Sequence, residues 1–110
     1  MTRLLVIDDH DVVRQGLVTA LRKNGFENIE TAGSLAQARA KITTFNPQAM
    51  IVDLNLPDGS GLELVQWVRK LSPSAAIIVL SLNAPERFAR ISQSAGANSY
   101  ISKVQSVDEI

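Results

Sequence analysis

Short apolar runs rich in branched residues alternate along this chain with longer stretches of helical period, and no other feature limits the possible folds as tightly. Five runs read as strands: Leu4 to Asp8, Ile29 to Ala32, Ala49 to Asp53, Ala76 to Ser81 and Ser99 to Ser102. Their apolarity is nearly uniform, as in strands covered on both faces, so the expected fold is α/β, a doubly wound parallel sheet with helices on both sides. Between the runs, Val12, Val13, Leu17, Ala20 and Leu21 recur at helical spacing, and Asn24-Gly25 supplies a stop. Ser34-Leu35-Ala36-Gln37 and Ser60-Gly61-Leu62-Glu63 read as capping boxes that open the second and third helices. A fourth helix is predicted from Pro85 to Ala95, ahead of Gly96. A third capping pattern, Ser106-Val107-Asp108-Glu109, announces a helix that is not completed within the 110 residues. Residues 1–110 are therefore expected to be one domain, with a truncated fifth helix and a further domain continuing the natural protein.

Charge and residue inventory narrow the chemistry. Eleven basic residues are spread among eleven acidic ones, net charge zero, with no positive stripe of the kind that tracks a phosphate backbone, which argues against direct nucleic-acid binding. The absence of cysteine removes disulfides, thiolate metal sites and thiol nucleophiles. One histidine cannot build a zinc site without much carboxylate help, so any metal is expected to be hard and oxygen-bound. The apolar start Leu4-Leu5-Val6-Ile7 is stopped by Asp8 and Asp9, far short of a signal-peptide core or membrane span, and the expected location is cytoplasmic, with no membrane partner.

In open α/β sheets, ligands bind beyond the carboxyl ends of the strands, so the polar residues closing each run are the ones that matter. Strand one ends in Asp8 and Asp9, strand three in Asp53 and strand four in Ser81, and strand five is followed at once by Lys103. Crowded carboxylates resist ionisation unless a divalent cation compensates them. Mg²⁺ suits that need, since it accepts a few carboxylates together with waters and phosphate oxygens. Asp53 would then act as a carboxylate nucleophile toward phosphorus, with Lys103 offsetting charge on the phosphoryl oxygens and an acyl phosphate as product.

With these residues the chain resembles receiver domains of two-component response regulators from Leu4 to Lys103. The pattern is an acidic pair after strand one, an Asp after strand three followed by Leu54-Asn55-Leu56-Pro57-Asp58-Gly59-Ser60-Gly61, a Ser or Thr after strand four and a Lys after strand five. Asp8-Asp9-His10 with Val13-Arg14-Gln15-Gly16-Leu17 looks further like the NarL/FixJ (LuxR-type) subfamily, whose members usually carry a helix-turn-helix DNA-binding domain behind the receiver. The resemblance implies sheet order 2-1-3-4-5 (flavodoxin-like), which comes with the family's known fold and is not deduced from spacing. It implies Asp53 as phosphoacceptor, Asp8, Asp9, Asp53 and the main-chain carbonyl of Asn55 as Mg²⁺ ligands, and Ser81 and Lys103 as phosphoryl contacts. Ser81 and Tyr100 would be the switch residues, a sensor histidine kinase the donor, DNA a partner only through an output domain outside this chain, and a homodimer or self-associating form the assembly.

Each residue also has a plainer reading. Asp9 would serve as a cap of the first helix, Asp53 as the first residue of a turn, Ser81 and Lys103 as solvated groups and Tyr100 as core. Their joint placement at strand ends outweighs these readings. His10 reads as a partly exposed subfamily marker, Trp67 as a residue packing its helix on the sheet, and Arg14, Arg22, Lys23, Arg69 and Lys70 as solvent faces of helices. The pattern often has Pro after the Lys, with a cis bond, but Val104 follows Lys103 here and predicts a trans peptide. Loss of the fifth helix would bare apolar surface and promote self-association. Two other functions compete: a haloacid-dehalogenase-type phosphatase, which needs a second Asp where Asn55 stands, and a degenerate receiver serving as a protein-interaction module.

Overall fold

Alternation decides which side of the sheet each apolar residue faces. In β1 (Leu4–Ile7), Leu5 and Ile7 face one core and Leu4 and Val6 the other. All four are buried, as a strand covered on both faces requires. The structure, a computed structural model, describes the backbone of residues 2–81 and 86–102 and the side chains there except those of 86–88 and 102. Met1, the fourth-helix start at Pro85, Lys103, the Lys103–Val104 peptide and the capping pattern at 106–109 lie outside the described residues.

After β1 come α1 (Asp11–Lys23), β2 (Ile29–Ala32), α2 (Leu35–Phe45) and β3 (Ala49–Asp53). A two-residue ribbon follows, β4 (Asn55–Leu56) and β5 (Gly59–Ser60), then α3 (Gly61–Leu71), β6 (Ala76–Ser81), α4 (Glu86–Ala95) and β7 (Ser99–Ser102). The main sheet is parallel throughout, in the order β2-β1-β3-β6-β7. Counting only its own strands, this is the 2-1-3-4-5 order that the resemblance implies. The first strand is one residue shorter than expected, because pairing with β3 ends at Ile7 and Val52.

Leu5, Ile7, Met50, Val52, Ile77 and Val79 form one core with Leu35 and Ala38 of α2 and Leu64, Val65 and Val68 of α3. Burying each of the larger side chains contributes roughly 1.5–3 kcal/mol. Trp67 packs on the edge of this core, with the Arg39 guanidinium 5.6 Å from its ring centroid, and α4 lies against β7 and α3. On the opposite face, Leu17 and Leu21 of α1 cover Leu4, Val6, Ile51 and Leu80. Helices thus cover both faces, as expected.

The helix ends match their sequence signals in part. Ser34 accepts the Gln37 N–H at 3.1 Å, but Gln37 Oε1 reaches back to the N–H of Gly33 at 2.8 Å, one residue earlier than a capping box requires. Ser60 accepts from Leu62 rather than Glu63, at 3.2 Å. After α1, Gly25 adopts φ +93 and donates to Arg22 O, satisfying a terminal carbonyl.

Arg69 corrects the expectation of a solvated side chain. From α3 its guanidinium donates to Gly96 O (2.7 and 2.9 Å), Pro73 O (2.8 Å), Ala75 O (2.8 Å) and Asn98 Oδ1 (3.0 Å). Asn98 in turn accepts the Ile77 N–H at 2.8 Å. One planar fork therefore joins the α3–β6 and α4–β7 turns. Arg69→Lys keeps the charge and loses the fork, and is expected to lower unfolding free energy in urea by about 1–3 kcal/mol; an unchanged midpoint would remove this role.

Candidate functional site

Parallel pairing between β1 and β3 sets Ile7 beside Val52, so the residues that follow, Asp8 and Asp53, emerge as neighbours at the same sheet edge. Both are buried, with 1% and 2% of their surface exposed. Asp9 completes the group from the exposed start of the β1–α1 turn. Ligand atoms of Asp8, Asp9, His10 and Asp53 all lie within 4.8 Å of one another. The cluster therefore unites the three carboxylates expected from the sequence and adds a fourth side chain.

That addition is His10. Its Nδ1 lies 3.0 Å from Asp8 Oδ1, 3.3 Å from Asp9 Oδ1 and 3.6 Å from Asp53 Oδ2, and its main-chain N–H donates to Asp8 Oδ1 at 2.8 Å. With its side chain 46% exposed, it is a rim residue of the cluster rather than a bystander. Asp9 is not the cap of α1: the cap position belongs to His10, which makes no side-chain cap bond. Arg14, expected at a solvent face, instead donates to the main-chain carbonyl of Asp8 at 2.9 Å and to Asp11 Oδ1. It pins the acidic turn to the first turns of α1.

The segment after Asp53 is held at three points. The Asn55 N–H donates to Asp53 Oδ1 at 3.1 Å, which fixes the rotation of that carboxylate. At the far end of the ribbon, the Gly61 N–H donates to Leu54 O at 2.9 Å, and a Cβ on Gly61 would collide with Asp53 O. At its tip, Asp58 reaches across to α2, where Oδ1 accepts the Leu35 N–H at 2.7 Å and Oδ2 the Ala36 N–H at 3.0 Å. These two N–H groups hold the Asp58 carboxyl below its usual range. They are orphan donors of the first helical turn, so α2 is capped by a residue from another element as well as by Ser34.

Ser81 ends β6 one residue past the Asp53–Leu80 pair, is buried, and lines a cleft of about 290 Å³ with Leu54, Asn55, Gly59, Ser60 and Leu62. Tyr100 sits in β7 opposite Val79, half-buried against the core shared by α2 and α3. Lys103 follows β7 and lies outside the described residues.

A hard divalent cation fits this donor set. Buried carboxylates at adjacent strand ends need compensating charge, and three of them leave room in an oxygen-rich shell for waters and a phosphoryl oxygen. The side chains of Asp8, Asp9 and Asp53 would hold such an ion.

Comparison with known proteins points the same way. The chain matches the response regulator receiver domain family over residues 4–110. It is 32% identical over 104 residues to the DNA-binding transcriptional activator DevR/DosR of Mycobacterium tuberculosis, covering 94% of this chain and 48% of that protein. To the KDP operon transcriptional regulatory protein KdpE of Escherichia coli it is 34% identical over 110 residues, covering 100% and 48%. The chain thus spans about half the length of these curated relatives. A response regulator protein from Burkholderia pseudomallei, solved with a phosphorylated aspartic acid, calcium ion and citrate, superposes with a TM-score of 0.88 at 29% identity, covering 99% of this chain and 64% of that one.

Two outcomes test the anchoring of the site. Gly61→Ala forces a methyl group against Asp53 O and is expected to cost about 1–3 kcal/mol in urea unfolding and to displace the Asp53 resonances in NMR spectra; a neutral effect on both would show that the close approach is not binding. Folding lowers the Asp58 carboxyl, so the stability it contributes is complete above the ordinary Asp value of roughly 3.9 and is lost as pH falls through the lowered value. The stability gap between wild type and Asp58→Ala should therefore be constant at neutral pH and close in strong acid; a gap independent of pH would rule out the carboxylate cap.

Proposed function

Because the chain belongs to the response regulator receiver domain family, whose members are signalling switches rather than turnover enzymes, we propose that Asp53 is its phosphoacceptor and that the acidic cluster holds Mg²⁺. The observation that carries this reading is the convergence of Asp8, Asp9 and Asp53 at one sheet edge, two of them buried. Asp8, Asp9, Asp53 and the main-chain carbonyl of Asn55 would ligate the ion, which when bound neutralises charge on the transferring phosphoryl group. A carboxylate oxygen of Asp53 attacks phosphorus, the P–N bond of a kinase phosphohistidine breaks, and the imidazole leaves with the electron pair and takes up a proton. The Asn55 N–H on Oδ1 holds the nucleophile in one orientation throughout.

Ser81 and Lys103 would contact the phosphoryl oxygens and, with Tyr100, carry the switch. Reversing a two-state equilibrium takes about 5.5 kcal/mol, whereas one hydrogen bond to a charged group supplies roughly 1.5–3 kcal/mol. Ser81 alone is too little, so the switch needs Lys103 and repacking at Tyr100 as well. Asp8-Asp9-His10 and the α1 sequence support placement in the NarL/FixJ subfamily. The partners in this reading are a sensor histidine kinase, a second copy of the chain, and DNA through a helix-turn-helix output domain. The transcriptional roles of DevR/DosR and KdpE support the last of these. Action in the cytoplasm is part of this reading; among the described residues, no helix is long and apolar enough to cross a membrane.

The phosphatase alternative is not favoured, because Asn55 cannot donate the proton that its chemistry needs. Incubation with acetyl phosphate and Mg²⁺, followed by intact-mass measurement, should show one phosphoryl group on the wild type and none on Asp53→Asn. Rapid turnover with no retained group would restore the phosphatase, and no uptake by the wild type would leave a degenerate interaction module.

A further inference from the structure

We propose that His10 is a fourth side-chain donor of this metal site and biases it toward divalent ions that accept nitrogen, Ni²⁺ and Cu²⁺ among them, over Mg²⁺. The inference rests on the reading of the acidic cluster as a cation site, and it deepens that reading.

Geometry comes first. An ion with ligands at about 2.1 Å in octahedral array separates neighbouring donors by about 3.0 Å. His10 Nδ1 stands 3.0, 3.3 and 3.6 Å from carboxylate oxygens of Asp8, Asp9 and Asp53. Those are edge lengths of one coordination shell, and all four donor atoms fall within 4.8 Å of one another. Nitrogen therefore shares the ion with oxygen without any side chain crossing the site.

The backbone keeps it there. His10 occupies the cap position of α1, and its main-chain N–H is bonded to Asp8 Oδ1, which holds the residue beside that carboxylate. A bound ion would take the place of the proton between Nδ1 and Asp8 Oδ1, 3.0 Å apart. Arg14 holds the carbonyl of Asp8 from the next turn. An all-oxygen site follows from the sequence only if the single histidine lacks carboxylate help; the fold supplies that help from two strands.

Chemistry then sets the preference. Mg²⁺ is hard and takes oxygen, whereas imidazole strengthens binding along the series from Mn²⁺ to Cu²⁺. His10 is the one histidine of the chain, and cysteine is absent, so no other imidazole or thiolate competes for such an ion.

Affinities of Ni²⁺ and Mg²⁺, each measured alone by calorimetry on tag-free protein, decide the matter. The ratio of Ni²⁺ to Mg²⁺ affinity should fall roughly ten- to a hundredfold in His10→Ala. Cu²⁺-loaded wild type should show the spin-echo modulation of a remote imidazole nitrogen, lost in His10→Ala, and Cu²⁺ affinity should fall in the Asp8→Asn, Asp53→Asn double variant. An unchanged ratio overturns the proposal, and so does an equal gain for both ions, which would make His10 a competitor of the metal. A Cu²⁺ affinity unchanged in that double variant would place the ion elsewhere and also overturn it. Wild type that holds Ni²⁺ through His10 but fails to bind Mg²⁺ would support the nitrogen donor while removing Mg²⁺ from the proposed function.

Discussion

Two carboxylates leave water together at the ends of β1 and β3, and withdrawing each such charge costs several kcal/mol unless partners compensate it. Asp8 and Asp53 are placed there by parallel register, since the pairing of Ile7 with Val52 leaves the next residue of each strand no other exit. The rest of the site can be understood as the response to this concentration of negative charge. Donor groups from neighbouring turns converge on it, the His10 and Asn55 N–H groups among them. A divalent ion would be a partner with enough charge to make the arrangement favourable, and in the proposed function the same charge would serve a transferring phosphoryl group.

The 55–60 ribbon carries this constraint outward. It begins on Asp53 through Asn55, ends on Asp53 through the close approach of Gly61, and is tied at its tip to α2 by Asp58. Gly59, at φ +151, turns the ribbon where a side chain would also strike Leu35. The loop bearing the expected Asn55 ligand is thus fixed to the helix beside it. β6, which ends in Ser81, pairs on one side with β3 and Asp53 and on the other with β7, where the half-buried Tyr100 sits.

Much of this arrangement is legible in the chain before it folds. Branched apolar runs mark the central strands almost to the residue, because strands buried on both faces hardly accept polar interruptions, whereas the edge strand β2 carries Glu30 and Thr31 and is only partly buried. Asp8, Asp9, Asp53 and Ser81 can be named because each closes such a run. The ribbon is not legible, since two-residue strands leave no periodicity. Arg69 and Arg14 read as solvated because an arginine on a helix shows no sign in its own sequence window of the distant carbonyls it will meet.

Hydrophobic period and local caps are short-range properties, and they suffice to set the layers, the strand ends and the residue types that gather there. Folding in three dimensions adds what local pattern does not show: that Asp58 caps a helix more than twenty residues away, that Gly61 must lack a side chain beside Asp53, and that the partly exposed His10 ring comes within reach of Asp53 as well as of its neighbours Asp8 and Asp9. The Asp58–α2 and His10–Asp53 contacts join segments far apart in the chain, and Gly61 meets Asp53 through the path of the ribbon between them; these partners meet only once the sheet has set the register that brings them together.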